Sequence, residues 1–282
     1  MNSFAYIKPR TKEEALSVLH ELGARAKIAA GCTNVLPDIK AKKLADCVLV
    51  DISSLAELKG IKVTGETITL GSLVTISELL ESEAVASDAA VLWQAAKVFA
   101  DPLTRNRATI GGNLANASPA GDGIVPLMAL GAIVTVENVN GKREIPLEDL
   151  FTGPGQNALK PDELITAVSF ARATNTKSNF IKFGLRKSMA ISLVSIAVVM
   201  ETNGDKLDRI RIALGALAPT PVRAKKTEEL LAGKQIGPEV LEQASELIKT
   251  EVEPITDVRA SREYRLHLTG VLLKRAIETA LA

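Results

Sequence analysis

Cysteine and histidine are nearly missing from this chain of 282 residues: Cys32, Cys47, His20 and His267 are the whole complement. An iron–sulfur cluster is normally held by four thiolates and a structural zinc by four nitrogen or sulfur ligands, so this set can build neither. Any metal redox chemistry connected with the chain is therefore expected on another polypeptide, and no metal-ligating residue is assigned. Long apolar runs are missing as well. The stretches 123–136 and 191–200 are too short to span a bilayer, and Pro126 and Gly131 interrupt the first. The opening MNSFAYIKPR lacks the apolar core of a signal peptide, and a soluble, cytoplasmic protein is expected. An excess of either charge is lacking too. With 34 Lys and Arg against 33 Asp and Glu the formal charge is +1, which gives no global field to draw in nucleic acid or an acidic membrane. Neither histidine has a neighbour that would make it a catalytic base: His20 falls on the polar side of a helix and His267 in a basic stretch.

What is present is enough for two packed units. Thr11 and Glu14 form a capping-box pattern ahead of Ala15, Leu16, Leu19 and Leu22 on one helical face, and Thr75 and Glu78 form another. Short strands are expected at 27–30, 47–50, 61–63, 67–71 and 133–137, with Cys47 buried in the second. Asn140-Gly141 and Asn203-Gly204 each lie between strand-like runs, the pattern of tight hairpins whose residues tolerate positive φ, so much of the sheet is expected to be antiparallel. Ile210, Ile212 and Leu214 alternate with Arg209, Arg211 and Ala213, as in a strand with one wet face. Beyond Pro221 the period becomes helical, with stripes at Val240, Leu241, Ala244, Leu247 and Ile248 and at Tyr264, Leu268, Val271, Leu272 and Ala276. Trp93 and Tyr264 read as packing residues. The polar stretch 172–178 is the expected boundary, dividing 1–173, itself two subdomains meeting near residue 53, from 174–282.

Two loops of small residues stand out. The first, AGCTNVLP at 30–37, joins a short strand to a helix. Gly31 allows close approach of the backbone, and successive N–H groups with the Thr33 and Asn34 side chains are suited to phosphate oxygens. The second runs from Ala108 to Asp122, and eight of its fifteen residues are Gly, Ala or Ser. No bulky side chain there keeps a ligand from the backbone, and Asp122 is an acceptor suited to sugar hydroxyls. Neither loop carries the Gly-Lys-Ser/Thr of a nucleotide triphosphatase or the Rossmann G-x-G-x-x-G. Each alone is compatible with ordinary fold punctuation.

In their order and separation the loops resemble those of the FAD-binding subunits of molybdenum hydroxylases, the xanthine dehydrogenase and carbon monoxide dehydrogenase type. There AGGT-x-L-L-P comes first and R-N-x-A/G-T-I-G-G-N-L second. Here the chain has AGCTNVLP and RNRATIGGNLANASPAGD, with EALSVL, LGSLVTISEL and SREYRLHLTGVLLKRA extending the resemblance over nearly its whole length. The resemblance implies an α+β fold: an FAD domain of two α/β subdomains clasping the cofactor, and a smaller C-terminal domain of antiparallel sheet and helices. It implies FAD contacts from Ala30, Gly31, Cys32, Thr33, Asn34 and Val35, and from Ala108, Thr109, Gly112, Asn113, Asn116, Gly121 and Asp122. It also places Phe99, Ile165 and Lys182 near the flavin ring. The alternatives are core packing for Phe99 and Ile165 and a solvated strand lysine for Lys182. Arg105 and Arg107 are suited equally to the pyrophosphate or to water. One departure matters: Cys32 stands where the family usually has a second Gly, and positive φ there would be strained. A cysteine in an allowed conformation, without a redox role, is the expectation.

The implied function is electron transfer, with no catalytic residue assigned on this chain. Electrons arrive singly from an iron–sulfur subunit after a molybdopterin-binding subunit has oxidised the substrate, and leave in pairs to NAD or another acceptor. Two alternatives stay open on the sequence: a self-contained flavin oxidoreductase of the same superfamily, which needs a positioned base, and a flavin-free scaffold subunit.

Overall fold

A computed structural model describes residues 5–44, 46–186, 188–204 and 206–282. The chain first lays down β1 (Ala5–Ile7), α1 (Lys12–Leu22), β2 (Ala26–Ala29), α2 (Val35–Lys40) and β3 (Val48–Asp51). These strands form a parallel sheet in the order β1-β3-β2, an exception to the antiparallel expectation. Helical crossovers, not hairpins, connect these strands, and that is the connection parallel pairing requires. Thr11 caps α1 by accepting from the Glu14 N–H. The Glu14 carboxylate returns to the Arg10 N–H at 2.7 Å, so the expected box closes one residue early. Ala15, Leu16 and Leu19 of α1 pack on Val50, Ile52, Leu55 and Leu58. Each such leucine contributes about 1.5–3 kcal/mol through burial.

The middle of the chain holds β4 (Ile61–Thr64), β5 (Thr67–Gly71), α3 (Ile76–Glu81), α4 (Glu83–Asp88), α5 (Ala90–Val98), α6 (Pro102–Arg105), α7 (Ile110–Asn116) and α8 (Ile124–Ala129). It continues through β6 (Ile133–Asn138), β7 (Gly141–Pro146), the small hairpin β8 (Phe151–Gly153) and β9 (Gln156–Asn157), and β10 (Leu164–Ala171). An antiparallel sheet in the order β4-β5-β10-β6-β7 packs against the helices through one large apolar core. The Thr75–Glu78 box is complete and starts α3. Cys47 is half-buried and lies one residue before β3 rather than within it.

The remainder comprises β11 (Lys177–Phe183), β12 (Val194–Asn203), β13 (Lys206–Gly215), β14 (Val222–Arg223), α9 (Lys225–Leu231), α10 (Pro238–Ile248) and α11 (Arg262–Leu281). The sheet order is β11-β12-β13-β14, antiparallel throughout. Its inner face, with Ile196, Val198, Ile210, Ile212 and Leu214, packs on Leu241, Ala244 and Ile248 of α10 and Leu268 and Leu272 of α11. The opposite face of β13 is wet only toward Arg209. Ala213 and its cross-strand partner Ala197 are fully buried in the core of the middle unit, and Arg211 donates to the Leu130 carbonyl at 3.0 Å. The C-terminal sheet therefore has two buried faces over part of its length. Tyr264 is half-exposed, with its ring edge-on to Phe183 at 6.5 Å between centroids. Among the described residues no helix is long and apolar enough to cross a membrane.

Candidate cofactor site

The loop that leaves β2 and the first turn of α7 meet at a cavity of about 640 Å³, a size that takes small molecules and cofactors. A Cβ built on Gly31 would lie 1.7 Å from the Arg107 carbonyl oxygen. The close approach that requires glycine here is thus between the two loops themselves. Asn34 Nδ2 donates to Asn116 Oδ1 at 2.9 Å and stitches the loops together a second time. Cys32 takes φ of 61°, so the allowed conformation expected for it is not the one adopted: the residue carries the left-handed backbone that a second glycine would carry without strain. Burial, then the negative charge of Asp51, pushes its thiol up from the ordinary value, which disfavours a reactive thiolate. The consecutive N–H groups from Gly31 to Val35 have no acceptor among the described residues. A run of free N–H groups around a left-handed residue is an anion-binding nest.

The second loop behaves differently. Thr109 caps α7 by accepting from the Gly112 N–H at 3.1 Å, and the Ile110 and Gly111 N–H groups bond the Val74 and Ser72 carbonyls. The helix start is therefore satisfied internally. Its contribution to the cavity is smallness; Asn113 and Ser72 also belong to the lining, with Asn113 Oδ1 and the Ser72 hydroxyl buried without a partner among the described residues.

A third wall comes from the C-terminal unit. Lys182 on β11 donates to Asp122 Oδ2 at 2.5 Å and to the Val98 carbonyl at 3.4 Å, while Ser192 donates to Asp122 Oδ1 at 3.0 Å. Lys182 and Asp122 side chains are only 9% and 10% exposed. Burial pushes the Asp122 carboxyl up, and the Lys182 ammonium and the Ser192 hydroxyl act against that rise. Each Asp122 oxygen thus accepts from a protein donor, which ties the second loop to the C-terminal unit, and each keeps a further acceptor site. Phe99 borders the cavity and also packs on the core, and the next residue, Ala100, has φ of 37°. Ile165 is buried on β10 beside a register shift.

Four carboxylates line the cavity, Asp38, Asp101, Asp122 and Glu163, and all but the partly exposed Asp38 accept hydrogen bonds from the protein. Glu163 accepts from Arg143 Nε and Nη2, both at 2.8 Å. Asp101 caps α6 through the Thr104 N–H and hydroxyl at 3.0 and 2.6 Å, and Asp38 lies 3.8 Å from Lys43 Nζ. Among the described residues no histidine reaches the cavity.

The residues to which the resemblance assigns FAD contacts all border this one cavity: Ala30 through Val35, Phe99, Ala108, Thr109, Gly112, Asn113, Asn116, Gly121, Asp122, Ile165 and Lys182. Arg105 and Arg107 do not line it, and Arg105 donates instead to the Lys97 carbonyl at 2.8 Å. Residues 2–172 match the family described as the FAD binding domain in molybdopterin dehydrogenase, and residues 179–280 match the CO dehydrogenase flavoprotein C-terminal domain. The chain belongs to this flavoprotein family. It is 33% identical to the carbon monoxide dehydrogenase medium chain of Hydrogenophaga pseudoflava over 99% of its own length and 97% of that protein's. It is 31% identical to the xanthine dehydrogenase FAD-binding subunit of Escherichia coli O157:H7, covering 99% and 96%. The solved Hydrogenophaga pseudoflava carbon monoxide dehydrogenase, in a form lacking the Mo-pyranopterin moiety, superposes with a TM-score of 0.96 at 32% identity, covering 99% and 98%. The chain is accordingly an FAD-binding oxidoreductase subunit of the molybdenum hydroxylase family.

The cavity fits that cofactor on its own terms. A flavin dinucleotide has a doubly charged pyrophosphate for the Gly31–Val35 nest, whose N–H groups have no acceptor among the described residues. Several bordering residues escaped the sequence reading: Ser72, Ala100, Asn157, Ser192 behind the wall, and the segment Met189–Ile191. None belongs to either loop motif, and only tertiary contact brings them here.

Proposed function

We propose that this subunit carries electrons from an iron–sulfur partner to NAD or another acceptor, while a molybdopterin-binding partner oxidises the organic substrate. What supports this reading above all is the state of three cavity carboxylates, Asp101, Asp122 and Glu163, each already accepting hydrogen bonds from protein donors, while Asp38 is partly exposed. A hydroxylase or oxidase acting on its own substrate needs a free base within reach of the proton it removes. FAD, when bound, supplies a carrier able to exchange electrons singly on one side and in pairs on the other. The chain's own residues bind and orient it. The N–H groups of Gly31 through Val35 receive the pyrophosphate, Thr109, Gly112 and Asn113 form the opposite side, and Phe99 and Ile165 pack against the ring. Lys182, held by its counter-ion Asp122, would turn its remaining N–H toward the ring and would help to stabilise negative charge there.

The test is to load the chain with FAD alone and with its co-purifying partners. The chain alone should pass electrons from a chemical reductant to artificial dyes and turn over no purine, aldehyde or aromatic heterocycle. Hydroxylation should appear only in the assembled complex. Turnover of any of these substrates by the isolated chain would make it a self-contained oxidase instead.

A further inference from the structure

The Lys182–Asp122 pair depends on a hydroxyl from outside both loop motifs. Ser192 is 2% exposed and stands two residues before β12, where the C-terminal unit abuts the second loop. Its hydroxyl donates to Asp122 Oδ1, and Lys182 donates to Oδ2. An ammonium has three N–H donors. One goes to Asp122 and one to the Val98 carbonyl, so one remains on a side chain that borders the cavity. If the Ser192 hydroxyl were removed, Oδ1 would be a buried carboxylate oxygen without a donor, a costly condition. The nearest remedy is the third Lys182 N–H. The carboxylate would then hold the ammonium through both oxygens and draw it back from the cavity.

We propose that Ser192 is a positioning residue of the flavin site: by occupying Asp122 Oδ1 it leaves one Lys182 N–H for the bound cofactor. The inference rests on the reading of this cavity as the FAD site with Lys182 beside the ring. In that setting Ser192 acts through Lys182 and touches no cofactor atom, so it should tune the flavin without deciding whether FAD binds.

The experiment is a dye-equilibrated redox titration of the FAD in the assembled complex, with FAD content measured from the visible flavin absorption. Ser192→Ala should keep full FAD content and lower the equilibrium constant for flavin reduction three- to tenfold, about 15–30 mV at 29.6 mV per decade for a two-electron couple. Ser192→Thr keeps the hydroxyl and should stay near wild type. Lys182→Met should lower the constant at least as far, and adding Ser192→Ala to it should change nothing more, because the serine acts only through the lysine. A Ser192→Ala flavin titrating as wild type or more easily reduced, or a further fall in the double variant, would overturn the inference while leaving the FAD reading intact. Loss of FAD from Ser192→Ala but not from Lys182→Met would also overturn it, by moving the hydroxyl into binding. No shift in Lys182→Met itself would remove the reading on which the inference stands.

Discussion

Replacing Cys32 with glycine should stabilise the protein. At φ of 61° an L residue carries roughly 1–2 kcal/mol of left-handed strain, which glycine does not feel. Glycine adds freedom to the unfolded chain, at a cost of roughly 0.5–1 kcal/mol. The difference is a gain of about 0.5–1 kcal/mol, on the order of 1–3 °C in melting temperature for a chain of this size. The thiol itself contributes little, since its one hydrogen bond among the described residues is a weak one to the Ala30 carbonyl at 3.7 Å. Cys32→Ala keeps the strained backbone and loses only the sulfur, so it should fall within about 0.5 kcal/mol of wild type. Cys32→Val places a branched side chain at positive φ and should cost more than about 1 kcal/mol. Thermal unfolding by circular dichroism, on FAD-free protein so that ligand linkage does not enter, ranks the three. A melting temperature for Cys32→Gly below wild type, or a Cys32→Val variant as stable as Cys32→Ala, would refute the strain argument.

Gly31→Ala, whose Cβ would sit 1.7 Å from the Arg107 oxygen, should force the loops apart, cost more than about 2 kcal/mol and weaken FAD binding at least tenfold in a flavin fluorescence titration; unchanged affinity and melting temperature would disprove the loop contact. Gly112→Val should fail to retain FAD, since the added side chain strikes the Thr109 cap at 2.9 Å and narrows the cavity, and flavin absorption equal to wild type would sink the assignment of the second loop. Acid precipitation should release FAD into the supernatant, because no histidine among the described residues reaches the cavity and burial favours the protonated Cys32 thiol; colour left in the pellet would show a covalent link. Burial alone would raise the Asp257 carboxyl, yet the Arg259 and Ala260 N–H groups and the Arg265 guanidinium outweigh it and hold it at about 2. A folded value below the unfolded one means stability that is present above roughly pH 4 and lost as pH falls toward the folded value, so urea midpoints of Asp257→Asn should decline less than those of wild type between these limits.

Features that depend on neighbouring residues were legible in the sequence. The Thr75–Glu78 box, the hairpins at Asn140-Gly141 and Asn203-Gly204 and the stripes of α10 and α11 are set by short-range backbone and side-chain periodicity. The two loops are legible for the same reason: glycine, threonine and asparagine at fixed spacing state what the backbone must do. The missed features are long-range. Asp122 finds Lys182 sixty residues later and Ser192 seventy residues later, and no local pattern announces a carboxylate with a protein donor on each oxygen. The expected wet face of β13 fails for a similar reason. Alternation identifies a face with small residues, but only the docking of α8 decides that Ala213 is buried.

The Asp122 corner joins the two halves of the molecule, and that has a thermodynamic consequence. The Ala216 N–H donates to the Pro119 carbonyl at 2.7 Å, and Arg265 of α11 clamps the Leu193 and Ala216 carbonyls from behind at 2.6 and 3.3 Å. Gly215 keeps its place because a Cβ there would strike Val125 and Ser195. The C-terminal unit thus supports the small-residue run that ends in Asp122 and contributes Lys182 directly. A ligand that binds only when both units are seated stabilises their docking by RT ln(1 + [L]/Kd), about 2.7 kcal/mol at a hundredfold excess over Kd. Linkage is reciprocal, so whatever steadies that docking strengthens ligand binding by the same factor. The sheet of the C-terminal unit, which carries neither loop motif, is in this sense part of the cofactor site.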